Sequence, residues 1–587
     1  MKRSGTFVID GWEDDLRRSL YGSAVARVGE PTLVLGLEDL TGHRGSALRI
    51  LDAADTAMAE MGIEKASCIL GLVTDNPAVM QAFRKSFVKK YPWVIAVACW
   101  AHQTNTLAGE MCRFPAIKSA IQRGNHIVTF FNGLHYWGGQ LKAVALAEKI
   151  TRGLKKNCES RWYAIILLAM SVEAHQTPLS LLVARPDARK VTGGFSAVNG
   201  DVIRTIQDYA DDFWPWISRL IRVARPFVDS IAACEGRDVT LADCMLSLLG
   251  AARQLNFLDP GGDDTADFLE FCEHACAVVD KRFRKMATPI HRLALFLHPI
   301  CRKLAVVEDA PGYTLRDIKR TVLQVADQWS WEESEARALI LDIDEYYGCT
   351  GPFTGGQSDG RGWWQRNTAA AKRPLKPFAE ALLSITPHSA EIERLFSACN
   401  GIQSAKRNSL AVDTFSKLAK VRSSLIEEAK RRLPAKLPKI TTELHTSSSE
   451  RAEFVTSTRI TGEGAPLERN ESLEKWEAPL DDTEDSDGVS GVDSVFAELD
   501  KMLEEEEDAQ EAESDAEESE EEDLPARLTA AVKPRKAAKD LSLMGGDIYD
   551  FELVKKALDN IVPRAEVKKV DVVRDNGRGR WKIDDLL

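Results

Sequence analysis

Three acidic residues stand where chemistry would need them. Asp10 closes the short apolar run of TFVIDGW, Asp75 follows the run CILGLV, and Glu393 lies in PHSAEIERLFSACN beside the apolar positions Ile392, Leu395, Phe396 and Cys399. Carboxylates brought to one point repel each other unless a hard cation sits between them. Mg²⁺ (or Mn²⁺) takes oxygen ligands and keeps water positions open for a substrate phosphate. Two such ions can activate the attacking oxygen and stabilise the leaving one during in-line displacement at phosphorus. Each acid also has a plainer reading. A strand-end aspartate serves as a cap or turn residue, and a lone helical glutamate pairs with a neighbouring base. Spacing alone does not choose between them.

The elements that must position these acids can be read from the pattern. Thr6–Trp12, Ser19–Val28 and Pro31–Leu37 are strands separated by turn residues, an antiparallel meander. Leu48, Leu51, Ala54, Met58 and Met61 recur at three- and four-residue steps, the mark of a helix with one buried stripe. A fourth strand, Cys68–Val73, runs into Asn76, a candidate helix cap, and Pro77, suited to a first helical position. Val79, Met80, Phe83 and Phe87 form that helix's apolar face, and Trp93–Ala98 is a fifth strand. The order β-β-β-α-β-α-β is that of an α/β ribonuclease H-like core with a mixed five-stranded sheet. In such a sheet the first and fourth strands are neighbours, so Asp10 and Asp75 can meet, and a helix on the sheet can bring Glu393.

The expected organisation has five parts. Residues 5–110 hold the first part of the core, 111–360 a large all-α insertion ending in the Gly-rich loop Gly348–Gly362, and 361–432 the returning part of the core. Residues 433–546 read as a disordered linker and acidic tail, and 547–587 as a short segment of obscure role with a helix near Phe551–Ile561.

Seven segments, in order, resemble the hAT superfamily of DNA transposases: FVIDGWED, GLEDLTGHRGSA, VTDNPAVMQAFRK, CWAHQTNTL, SRWYA, GWW and PHSAEIERLFSACNGIQSAKRNSL. The resemblance spans about residues 5–427, and its most specific part is the block from Pro387 to Leu410, which is similar to the family's C-terminal dimerisation region. It implies a catalytic triad of Asp10, Asp75 and Glu393 holding two Mg²⁺ or Mn²⁺ ions, with DNA strand cleavage and transfer at transposon ends. It also implies DNA contacts from His102, Arg161, Trp162, Lys406 and Arg407, with Trp162 stacking on an extruded base. Self-association is expected through Phe396, Phe415, Leu418, Val421 and Leu425. From the residues alone, Trp162 reads as core, His102 as a satisfied core histidine or a zinc ligand, and the Val412–Leu425 stripe equally as intramolecular core. Trp363 and Trp364 read as packing at the return into the core.

The family usually carries a BED-type zinc finger ahead of this core. Asp10 lies almost at the start here, so the expectation is a chain without that finger. That favours, as an alternative, a catalytically inactive or domesticated derivative acting as a dimerising DNA- or chromatin-associated protein. No zinc is expected. Cys99 and His102 lack a second pair of ligands, and Cys272, His274 and Cys276 read as one helix face.

Composition bounds the partners. The net charge is −13, but 22 acids and a single base, Lys501, lie between Asp481 and Asp523. The remainder carries 75 bases and 67 acids, a mildly basic body suited to a polyanion such as DNA. The acidic run reads as a solvated tail for nuclear protein partners. Lys533, Pro534, Arg535, Lys536 and Lys539 resemble a nuclear import signal, so the expected location is the nucleus. Eleven scattered cysteines suit reduced thiols, and the absence of an eighteen-residue apolar run argues against a membrane partner.

Overall fold

The computed structural model describes residues 3–432 apart from 15, 43–45, 157–161, 193–194, 208–211, 260–264 and 401–410, together with 492, 494–506 and 541–561. The candidates Arg161, Lys406 and Arg407 lie outside the described residues, as does the basic cluster at 533–539.

Five strands form one mixed sheet: β1 (Gly5–Glu13), β2 (Ser19–Ala26), β3 (Leu33–Asp39), β4 (Ile69–Thr74) and β5 (Ile95–Ala98). Their order is β3-β2-β1-β4-β5. The meander β1-β2-β3 is antiparallel, while β4 and β5 run parallel to β1. Two helices make the parallel crossovers, α1 (Ala47–Glu60) and α2 (Ala78–Lys90). The strands sit a residue or two from their predicted ends, and β1 runs past Asp10 to Glu13 because β2 continues to pair with it.

Alternation along β1 sorts its two faces. Phe7 and Ile9 join α1 and α2 in one core with Leu72 of β4, and Val8 faces the opposite side. The stripe expected on α1 is rotated. Ile50, Leu51, Ala53, Ala54, Ala57 and Met58 are buried, whereas Leu48 and Met61 face solvent, because the sheet receives a broader face than a single row. On α2, Met80, Phe83 and Phe87 are buried as expected. Pro77 is the residue that caps this helix; Asn76 instead uses its side chain on Arg84 and Glu506.

The helical body follows. Its elements are α3 (Trp100–Met111), α4 (Pro115–Gly133), α5 (His135–Ala147), α6 (Tyr163–Ala174), α7 (Gln176–Val183), a two-residue hairpin of β6 (Val191–Thr192) and β7 (Phe195–Ser196), α8 (Gly200–Gln207), α9 (Phe213–Cys234), α10 (Leu241–Asn256), α11 (Ala266–Met286), α12 (Pro289–Leu297), α13 (Leu315–Gln328), α14 (Glu333–Gly348), α15 (Gly360–Arg366) and α16 (Leu375–Leu382). This body is not a detached unit. Leu70, Val73, Ile95 and Val97 of β4 and β5 share its core, so it covers that half of the sheet directly. Trp363 and Trp364 are buried at the return, where Trp364 Nε1 donates to the Leu297 carbonyl at 2.7 Å. Among the described residues no helix alone is long and apolar enough to cross a membrane, and no cysteine is disulfide-bonded.

After the body the chain returns across β1 and β4. The Thr386 amide donates to Thr6 Oγ1 at 2.9 Å, and Trp100 N donates to the Pro387 carbonyl at 2.9 Å. α17 (Ala390–Asn400) and α18 (Val412–Arg432) then cover the free face of β1, β2 and β3, burying Ile392, Leu395, Phe396, Cys399, Phe415 and Ala419 against Val8, Leu20 and Ala24. Glycine at 22 permits this approach. A Cβ there would stand 2.7 Å from the Phe396 ring. Gly22→Val should therefore destabilise the protein by about 1–3 kcal/mol, read as a lower urea midpoint at unchanged m-value.

The acidic tail departs from expectation in two places. Residues 494–506 form a helix, α19, whose Val495, Phe496, Leu499 and Leu503 are buried. Residues 541–561 pack on the helical body through Leu541, Leu543, Ile548, Tyr549 and α20 (Phe551–Asp559), and Asp280 accepts the Leu543 and Met544 amides at 2.7 and 3.0 Å. Acid content hid the helical spacing of the first segment; in the second, the helix expected near Phe551–Ile561 is present, and it is its docking on the body that the sequence did not show.

Candidate active site

Register explains how the two aspartates meet. Parallel pairing of β1 with β4 ends at Val8 opposite Val73. Asp10 and Asp75 each lie two residues further on, at the mouth where the strands part. Neighbouring strands are about 4.8 Å apart, and residues two apart share a face. Both acids therefore point to the side taken by Val8, away from α1 and α2. Opposite Asp10 on β2 stands Gly22, whose missing side chain leaves room for Ile392 and Phe396 of α17. Glu393, next to Ile392, is thereby carried over the same mouth.

The electrostatics agree. The Asp10 carboxyl is held well above the usual carboxylate range, first by burial, then by the negative charges of Asp75 and of Glu393. The Gly11 amide, donating to Asp10 Oδ1 at 2.9 Å, offsets little of this. Asp75 is also raised by burial, with the positive groups His102 and Arg84 pulling it partly back. Residues from opposite ends of the folded chain thus come close enough for Asp10 to feel the charges of both Asp75 and Glu393.

His102 stands at the start of α3, where its amide donates to Cys99 Sγ at 3.5 Å. The Cys99 side chain is fully buried there. Burial pushes its thiol up to about 12, and it accepts hydrogen bonds from the Ser389 amide and hydroxyl, both at 3.3 Å. That pair ties the start of α17 to the end of β5.

Sequence reasoning missed Arg84. Its guanidinium donates to Thr74 Oγ1, the Asp75 carbonyl and Asn76 Oδ1, each at 2.6 Å, and so clamps the turn that carries Asp75. Nothing in the pattern of α2 marks it, because an arginine two turns into an amphipathic helix reads as solvated. Glu391, two residues before Glu393, makes an ion pair with Arg237 Nε and Nη2 at 2.8 and 2.9 Å. Burial alone would raise Glu391, but the Arg237 bonds outweigh it and its carboxyl sits below the usual range.

Other site candidates fall elsewhere. Trp162 is only 3% exposed, wedged against Gly109 of α3, so the reading as core holds and a base could stack on it only after rearrangement. Phe396 and Phe415 are inside, stacked or tilted against Trp12 at 5.5 and 6.1 Å between ring centres. They are unavailable for a subunit contact, because the sheet face consumes them. Leu418, Val421 and Leu425 are exposed at 42%, 56% and 59%, with Ile426 beside them.

The donor set suits a hard divalent cation. It is all oxygen, it carries mutually repelling charges, and Asp75 Oδ1 is buried with no hydrogen-bond partner. Among the described residues no group of three or more His, Cys, Asp or Glu side chains is arranged to hold a metal ion. No protein-family model matches this chain, and no curated protein matches it.

Proposed function

We propose that the chain is a hAT-like DNA transposase with a ribonuclease H-like core, cutting and joining DNA strands at transposon ends with Mg²⁺ or Mn²⁺. What supports this reading is that Asp10, at the open end of the β1–β4 pair, is buried within reach of the charges of Asp75 and Glu393. The strand order supports the core's identity, and the seven ordered motifs support the superfamily.

Asp10, Asp75 and Glu393 would hold the metal ions, with Asp10, which feels the charges of both others, shared between them. Bound there, divalent cations supply charge neutralisation at the scissile phosphate and a more acidic attacking hydroxyl. The chain's own residues fix where that happens. Arg84 clamps the Asp75 turn, the Ser389–Cys99 contact anchors α17, and His102 places a polar ring beside Asp75 for a strand to meet. Metal-dependent nicking of duplex DNA carrying terminal repeats, compared between the wild type and a chain lacking one triad carboxylate, tests the reading.

Self-association belongs to the exposed face of α18. Leu418, Val421, Leu425 and Ile426 give an apolar stripe at helical spacing, flanked by bases and acids, of a kind that a second copy can cover. A Val421→Glu, Leu425→Glu chain should elute and scatter light as a monomer where the wild type is a dimer or larger, with its circular dichroism unchanged. A wild type that is monomeric at micromolar concentration would remove this part. The reading as nuclear, with partners for the acidic tail, rests on the sequence.

A further inference from the structure

α19 comes from the most acidic part of the chain, yet lies against the helical body beside the acid cluster. Its apolar side is buried, with Leu499 against Gly109. Its polar side meets cations. Asp500 lies 2.9 Å from Arg113, and the Lys118 ammonium sits 4.9 Å from the centre of the Phe496 ring. Glu506 closes the row. It lies 2.6 Å from Arg282 Nη1 and 3.8 Å from Lys285 Nζ, and accepts from Asn76 Nδ2 at 3.3 Å. Asn76 is the residue after Asp75.

The last carboxylate of α19 thus occupies donors that an entering phosphate would use, one residue from the acid cluster. The chain continues from Glu506 through eleven acids and no base between 507 and 523. We propose that the strip Arg113, Lys118, Arg282 and Lys285 is a binding surface for the nucleic-acid backbone, and that α19 is its intramolecular occupant, a polyanion that substrate must displace. This deepens the proposed function and rests on that reading of the site.

The ion pairs of Asp500 with Arg113 and of Glu506 with Arg282 and Lys285 are contacts that a second polyanion can replace.

The test uses the full chain and a fluorescent mixed-sequence duplex, titrated by anisotropy at fixed low salt. Leu499→Asp with Leu503→Asp undocks α19 without touching the strip, and Asp500→Asn with Glu506→Gln weakens it by charge alone. Each should bind duplex at least tenfold more tightly than the wild type, with a steeper salt dependence, since freed cations release more counterions. Adding Arg113→Ser and Lys285→Ser should reverse the gain. In the wild type, duplex should speed hydrogen exchange in 494–506. Unchanged affinity in the charge variant, or a gain that survives loss of Arg113 and Lys285, overturns the proposal. A variant that binds tightly but never nicks with Mn²⁺ removes the cleavage reading and leaves this one standing. A chain that nicks, with α19 variants no tighter than the wild type, removes only this one.

Discussion

Asp75→Ala should lower metal-dependent nicking by a factor on the order of a thousand or more, equivalent to roughly 4 kcal/mol of transition-state stabilisation, while the far-ultraviolet spectrum stays that of the wild type. The fold should survive because the aspartate contributes no hydrogen bond through its buried Oδ1, and the turn around it is held by Arg84 through backbone and side-chain oxygens. Its partner Asp10 gives a second readout. The Asp10 carboxyl is raised above its unfolded value near 3.8. Its contribution to stability is therefore fully present below that pH and is lost as pH climbs through the folded value. At neutral pH the metal-free protein carries strain that Asp10→Asn relieves. The variant should melt higher than the wild type without metal, and respond little to Mg²⁺. The wild type should gain about 2.7 kcal/mol when Mg²⁺ reaches a hundred times its dissociation constant. Nicking by Asp75→Ala at the wild-type rate would end the proposed function. An equal Mg²⁺-induced rise in Asp10→Asn would show that any bound ion sits elsewhere.

Arg282→Ala should cost about 3–5 kcal/mol of stability, since removing one partner leaves a buried charge uncompensated. Arg282 is only 2% exposed and joins two carboxylates that are themselves buried, Glu110 of α3 and Glu506 of α19. Lys281, 3.7 Å from Glu110, gives partial compensation and sets the lower end of that range. Urea denaturation measures the loss. Arg282→Lys should recover little of it, because a compact ammonium cannot bridge two carboxylates as the forked guanidinium does. Arg282→Met with Glu110→Gln and Glu506→Gln should recover much more, since both stranded charges are then gone. Loss below 1 kcal/mol in Arg282→Ala would mean that water reaches both acids.

Much of the core was legible along the chain. The apolar runs in TFVIDGW and CILGLV marked two strands, and the apolar spacing at Met80, Phe83 and Phe87 marked the crossover helix. The order of elements then left few ways to arrange the sheet, and the observed β3-β2-β1-β4-β5 order sets the first and fourth strands side by side, as expected. The positions of Asp10 and Asp75 followed, because strand ends are local and register in a parallel pair is set by which faces are buried. Glu393 was legible only through the motifs around it, since helix α17 returns after an insertion whose length says nothing of its landing place.

Local sequence determined which segments become strands or helices and which side chains avoid water; it did not determine what each apolar face would meet. Phe415 and Leu425 belong to one stripe in the sequence, yet Phe415 is swallowed by the sheet and Leu425 is left outside, because α18 touches β3 only near its start. Trp162 is core because α3 presents a glycine to it. The apolar spacing of Val495, Phe496, Leu499 and Leu503 was present within an acidic run, but a helix so crowded with carboxylates holds only where Arg113, Arg282 and Lys285 wait for it. Periodicity is a property of neighbours in the chain, whereas burial and charge compensation depend on residues hundreds of positions away, and only the tertiary structure brings those together.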